Sequence, residues 1–218
     1  MPLSSTNAAQ SIVRPGVCTS ATRPASPFDG QVIYETDTDK TLVWNGSGWV
    51  FLSTSRANPG GLDFIKSQTI GSAVSSVEVT GAFSSTYDNY KITVAGGAGT
   101  TNINLTLRLG STTTGYYNGI IGVVWSNGAT NAGASNNTLA YMNYVGAATT
   151  TGINMNYDVF SPFLSVETYG SGQFIAYNAS YYTASKLSNT TSYTSFTLAT
   201  DTGTLTGGTI RVYGYVNS

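Results

Sequence analysis

From Leu62 onward the chain never keeps one character for long. Runs near the usual strand length of about 5–6 residues, many of them alternating in polarity, are cut by Gly, Asn, Ser or Thr before they reach helical length. INLTLRL is the clearest. Ile103, Leu105, Leu107 and Leu109 fall on one side of a period-2 pattern, and Asn104, Thr106 and Arg108 on the other. That is a half-buried antiparallel strand. Near the C-terminus Ile210, Val212, Gly214 and Val216 share one face, while Arg211, Tyr213 and Tyr215 share the opposite one. The runs LDFIKSQTI, SSVEVTGAF, NYKITVAGG, GIIGVVWS, TLAYMNYVG, INMNYDVFS, FLSVETYG, GQFIAYNASYY and SYTSFTLAT read the same way. Many short strands with turn residues between them argue for a sandwich or barrel, and the expected fold is all-β, with the C-terminal part, 62–218, an antiparallel β-sandwich of jelly-roll-like type. Thr and Tyr favour strands, and Lys, Glu and Leu are too scarce for long surface helices.

The N-terminal part differs. Residues 1–27 hold four of the six prolines and little periodicity, which predicts an extended attachment arm rather than a sheet. Its few apolar residues, Leu3, Ile12 and Val13, suit docking into grooves on a partner. Residues 28–53 read as a three-stranded meander, with a turn at Asp37-Thr38-Asp39 and a hairpin at Asn45-Gly46. Val32 and Tyr34 take one face and Ile33 and Glu35 the other, so both faces carry apolar groups. So small a sheet cannot cover two apolar faces by itself. Tyr34, Trp44, Trp49 and Phe51 are therefore expected to pack in assembly. TSRANPGG, 54–61, reads as a linker.

Charge and chemistry narrow the function. Only 9% of residues are charged, against about 25% in ordinary domains, and the net charge is −1. There is no basic patch for phosphates, so nucleic acid is not an expected partner. The longest apolar stretch, Ile120 to Trp125, is far short of the about 20 residues of a membrane span, and no secretion signal is expected in MPLSSTNAAQS. The chain has no histidine, which removes the commonest general base and rules out Ser-His-Asp, Cys-His and Cys/His zinc arrangements. No phosphate-binding glycine motif occurs. Glu35, Asp37 and Asp39 sit on one turn rather than across a cleft. Cys18, the single cysteine, is expected as a free thiol. No catalytic residue, metal site or cofactor follows. In each of Tyr116-Tyr117 and Tyr181-Tyr182, one ring must leave the strand face or sit in a loop, so these four are the candidate surface contacts. The segments TTTGYYNG (112–119), SNGATNAGASNN (126–137) and NASYYTASKLSN (178–189) read as the loops that carry them. Such loops suit a neutral glycan or a protein surface, with little dependence on salt.

The run CTSATRPASPFDGQVIYETDTDKTLVWNGSGWVFL, residues 18–52, resembles a module of bacteriophage virion proteins. DFIKSQTIGSAVSSVEVTGAFSSTYDNYKIT (63–93) and LTGGTIRVYGYV (205–216) resemble the β-rich domain of phage tail-fibre and head-fibre proteins. The resemblance implies a virion protein, assembled in the host cytoplasm, with an attachment arm, a β connector and a β knob, often as a homotrimer. It implies other virion proteins as partners of residues 1–27 and a host surface glycan or protein as partner of the knob. The expected role is a short tail-fibre-type host-contact protein without enzymatic activity. The alternatives are a capsid decoration protein or head fibre, then a glycan-cleaving tailspike or a free carbohydrate-binding module.

Overall fold

The computed structural model describes residues 15–52 and 61–217. The chain divides into two units, residues 1–57 and 58–218. Residues 1–14, most of the predicted arm, and residues 53–60, nearly all of the predicted linker, lie outside the described residues.

The first unit is a sheet of four strands in the order β1 (Gly16–Cys18), β2 (Val32–Glu35), β3 (Lys40–Trp44), β4 (Trp49–Phe51). The meander is as expected, but it gains a strand from the stretch read as an arm. β1 pairs in parallel with β2, placing Gly16 beside Ile33 and Cys18 beside Glu35. The reason lies between them. Ser20 donates its backbone N–H to Asp37 Oδ1 at 2.9 Å, and Arg23 Nε pairs with Glu35 Oε1. Thr38 donates to the other oxygen of Glu35 at 2.7 Å. The proline-bearing segment is thus folded back on β2, and Glu35 is buried with both oxygens occupied. Asp39 is taken up too, by the Tyr34 hydroxyl. At Asn45-Gly46 the Asn45 side chain accepts the N–H groups of Ser47 and Gly48, and Gly46 has φ 89°.

Ile33 and Leu42 form the buried row of this sheet, and Phe51, in register with Leu42, is 59% exposed. Trp44 and Trp49 are cross-strand partners, half-buried, packed edge to face with centroids 5.6 Å apart. Val17, Phe28, Val50 and Leu52 are exposed as well.

The second unit contains β5 (Leu62–Thr69), β6 (Ser76–Val79), β7 (Asn89–Ala95), β8 (Ala98–Gly99), β9 (Ile103–Leu109), β10 (Tyr116–Val124) and β11 (Thr130–Leu139). It continues with β12 (Met142–Thr149), β13 (Gly152–Phe160), β14 (Thr168–Ala176), β15 (Ala179–Leu187), β16 (Phe196–Thr200), β17 (Leu205–Thr206) and β18 (Thr209–Tyr215). Every pairing in it is antiparallel. Eight strands make two facing sheets, β5-β18-β7-β13 and β6-β16-β9-β12. Counted along the chain these are first-eighth-third-sixth and second-seventh-fourth-fifth, the strand order of a jelly roll. β13 serves both sheets. Gly152–Asn154 pair with β12, and Met155–Phe160 pair with β7.

The core lies between the sheets. Ile103, Leu105, Leu107 and Leu109 are all fully buried, as the alternation predicts, against Tyr90, Ile92, Val159, Ile210, Val212 and Phe196. Thr106 departs from the pattern. It is buried on the opposite face, where its hydroxyl donates to the Ala199 carbonyl at 3.3 Å.

Two hairpins are inserted into this scaffold: β10–β11 between β9 and β12, and β14–β15 between β13 and β16. They extend the first sheet past β13 in the order β14, β15, β10, β11. The predicted loops 126–137 and 178–189 are largely these strands. Among the described residues β11 is an edge strand, paired only with β10, and nearly all of its side chains are exposed. With no buried face it shows no apolar alternation, and small polar residues there look like a loop.

Candidate ligand-binding site on the inserted hairpins

The four paired tyrosines all lie on strands of this extension, not on distal loops. Tyr116 is fully buried, and its hydroxyl accepts the Leu109 N–H at 2.9 Å. Burial pushes that phenol up to about 12. Tyr116 is therefore a core residue and is withdrawn as a surface contact. Tyr117, next along β10, takes the outer face, half-buried, with Lys186 Nζ 5.2 Å from its ring centre. Tyr182 is 58% exposed on that outer face, in register with Ile121 on β10 and Gln173 on β14. Ile121, Val123 and Ile175 are exposed around it. Tyr181 points the other way.

On the inner face one cross-strand row runs Phe174, Tyr181, Gly122, Asn131 over β14, β15, β10 and β11. Phe174 and Tyr181 stack, with centroids 5.2 Å apart and planes 17° from parallel. The Tyr181 ring lies across Gly122, where a β-carbon would come within 2.3 Å of Tyr181 Cδ1. No other residue type leaves room for that ring. At its far end the Tyr181 hydroxyl accepts Asn131 Nδ2 at 3.3 Å. Ile120 and Gly133 continue the floor, while Tyr144 on β12 and Asn104 on β9 come from the second sheet. Tyr177, at the β14–β15 turn, closes one end. Together they line a cavity of about 260 Å³.

Two features set this cavity apart from ordinary packing. First, Tyr144 and Tyr177 hold φ of 58° and 59°. The left-handed region is unfavourable for a bulky L-residue and costs on the order of 1–3 kcal/mol. Tyr177 occupies the first of two turn residues between Ala176 and Ala179, a place where positive φ usually selects Gly. Among the described residues six other than glycine have positive φ, two of these line one cavity, and both are aromatic. Second, among the described residues no charged side chain belongs to the lining. Asp201 stands behind Asn104, accepting its backbone N–H at 3.0 Å and its Nδ2 at 2.7 Å. That clamps the amide and leaves Asn104 Oδ1 for another donor. The Tyr177 phenol is raised above its usual range, first by partial burial and then by the charge of Asp201.

Tyr181 is the one residue shared by this site and the sequence-predicted set. Asn104, Asn131, Tyr144, Phe174 and Tyr177 went unrecognised, because they come from separate strands and no spacing links them. Among the described residues, no group of three His, Cys, Asp or Glu is placed to hold a metal ion. Compared with family models, curated proteins and solved structures, the chain matches none.

Proposed function

We propose that this chain is a non-enzymatic structural protein of a bacteriophage virion, of fibre type, held to the particle through its N-terminal region and presenting the jelly roll to the host surface. A jelly roll hosts many functions, so the fold alone decides nothing. The observation that carries the reading is the first unit. It buries Ile33 and Leu42 but leaves Val17, Phe28, Val50, Phe51 and Leu52 exposed. A module so small that keeps large apolar side chains in water needs cover from another surface. Residues 18–52 are also the stretch that resembles the phage virion module. Copies of the same chain, as a homotrimer, together with neighbouring virion proteins, supply that cover in this reading. The absence of histidine from all 218 residues supports a binding rather than a catalytic role.

Light scattering on the purified chain tests the assembly, with three times the 22.8 kDa mass of one chain as the expected result. A monomer at micromolar concentration overturns the trimer. Quantitative mass spectrometry of particles tests the placement. A few to a few dozen copies fit a tail fibre, whereas hundreds favour capsid decoration.

A further inference from the structure

The geometry points to a binding site for a single uncharged pyranose ring in the cavity between the inserted hairpins and the second sheet. The site offers two kinds of surface at once. Tyr181, backed by the buried ring of Phe174, lies at the cavity together with the rings of Tyr144 and Tyr177. Asn104 and Asn131 place amides at the same cavity. One is clamped by Asp201, and the other is engaged with the Tyr181 hydroxyl. A pyranose has the matching chemistry, with C–H faces that lie on aromatic rings and a rim of hydroxyls that both donate and accept. At about 260 Å³ the cavity falls just below the range of about 300–1,000 Å³ typical of drug-sized ligands, so it suits one ring.

Charge decides against anionic ligands. No cation lines the cavity, and Asp201 stands behind it, so phosphates and uronic acids are disfavoured. The strained backbone at Tyr144 and Tyr177 is the independent sign. Each ring is held in the cavity by a conformation that Gly or Asn would adopt more readily, and retaining Tyr there is explained by what the ring touches. That the ring belongs to a host-surface glycan rests on the host-contact reading above.

The test uses the full chain and the methyl pyranosides of glucose, galactose, mannose and N-acetylglucosamine, with glucuronic acid and adenosine as competitors. Saturation-transfer NMR and calorimetry read the binding. At least one neutral pyranoside is expected to bind with a dissociation constant of about 1 mM, changing less than twofold between low and high salt. Tyr177→Gly removes a ring while relaxing the turn, so it is expected to weaken binding at least tenfold with an unchanged or higher melting temperature. Asn131→Ala, on the exposed edge strand, is expected to weaken binding without unfolding. Absence of binding by all four pyranosides overturns the proposal. So does tighter binding of adenosine or glucuronic acid, or binding that both variants leave intact. If the pyranoside binds as stated and particles lacking the protein adsorb normally, the host-contact reading fails and the site stands. If adsorption needs the protein and no pyranoside binds, the site alone is overturned.

Discussion

Gly170 and Gly172 on β14 flank the ring of Tyr157, which pairs with Gly172 from β13 and is fully buried. A β-carbon at Gly170 would come within 2.4 Å of Tyr157 Oη, and one at Gly172 within 2.7 Å of its Cδ2. The ring has no other place to go, since the core around it is filled by Met142, whose sulfur accepts its hydroxyl at 3.7 Å. Gly170→Ala is therefore expected to destabilise the protein by about 1–3 kcal/mol, read as a fall of several degrees in the melting temperature. Gly152→Ala, which meets nothing within 4 Å, is the matched control and is expected to stay within about 0.5 kcal/mol. The same glycines explain a misreading of the sequence. They look like a turn, so one strand seems to end at Gly170 and the next to run unbroken from Gly172 to Tyr182. The chain instead runs straight through Gly170 and Gly172 and reverses at Tyr177-Asn178. Glycine there answers to a ring on the next strand, and the turn residue is an aromatic that local propensity assigns to a strand.

Among the elements, the first unit depends most visibly on charge. Glu35 is held below the usual carboxylate range, chiefly by Arg23 and then by Thr38. Asp37 is held low by the hydroxyl and then the N–H of Ser20. Arg23 and Ser20 lie in the segment that ties β1 to β2. A carboxylate whose folded value is depressed binds its proton more readily in the unfolded chain. Its stabilisation is present above about pH 4 and is lost as pH falls through the folded value. Residues 16–52 are expected to loosen on acidification below about pH 4 and to be indifferent to pH near neutrality. Trp125→Phe leaves only Trp44 and Trp49 of the three tryptophans, so fluorescence then reports this unit alone. Glu35→Gln is expected to flatten the transition, and a signal unchanged down to pH 3 in the Trp125→Phe chain counts against the tie. The meander was legible because Asn45-Gly46 and the alternation of Leu42 to Trp44 are local signals. β1 was not, since its partner Ile33 is seventeen positions from Gly16 and the contacts that tie the segments, Arg23 to Glu35 and Ser20 to Asp37, leave no local pattern.

At the scale of the whole molecule the two units differ in self-sufficiency. The main core cluster runs from Ile70 to Val212 and lies wholly within the second unit, whereas the described part of the first unit buries only Ile33 and Leu42 among its apolar side chains. A chain starting at Gly61 is expected to fold alone with one cooperative melt, and residues 1–60 alone are expected to show no sheet signal by circular dichroism. A truncated knob that melts non-cooperatively overturns this division. The all-β sandwich was readable from alternation. The jelly-roll type was expected as well, but the pairings that set its strand order were not, because they are remote in sequence, with Leu62 beside Tyr215 and Val77 beside Leu198. Nothing local encodes such closures; they follow from burying all the apolar faces at once. The cavity inherits a further property from this layout. Phe174, Tyr177, Tyr181 and Asn131 belong to the two inserted hairpins, while Asn104 and Tyr144 belong to the eight-stranded scaffold. Most of the lining is thus free of the double Greek key. In evolutionary terms, the proposed ligand preference and foldability are carried on separate stretches of chain, so exchange of 116–139 or 168–187 as a cassette alters the lining while the scaffold stays constant.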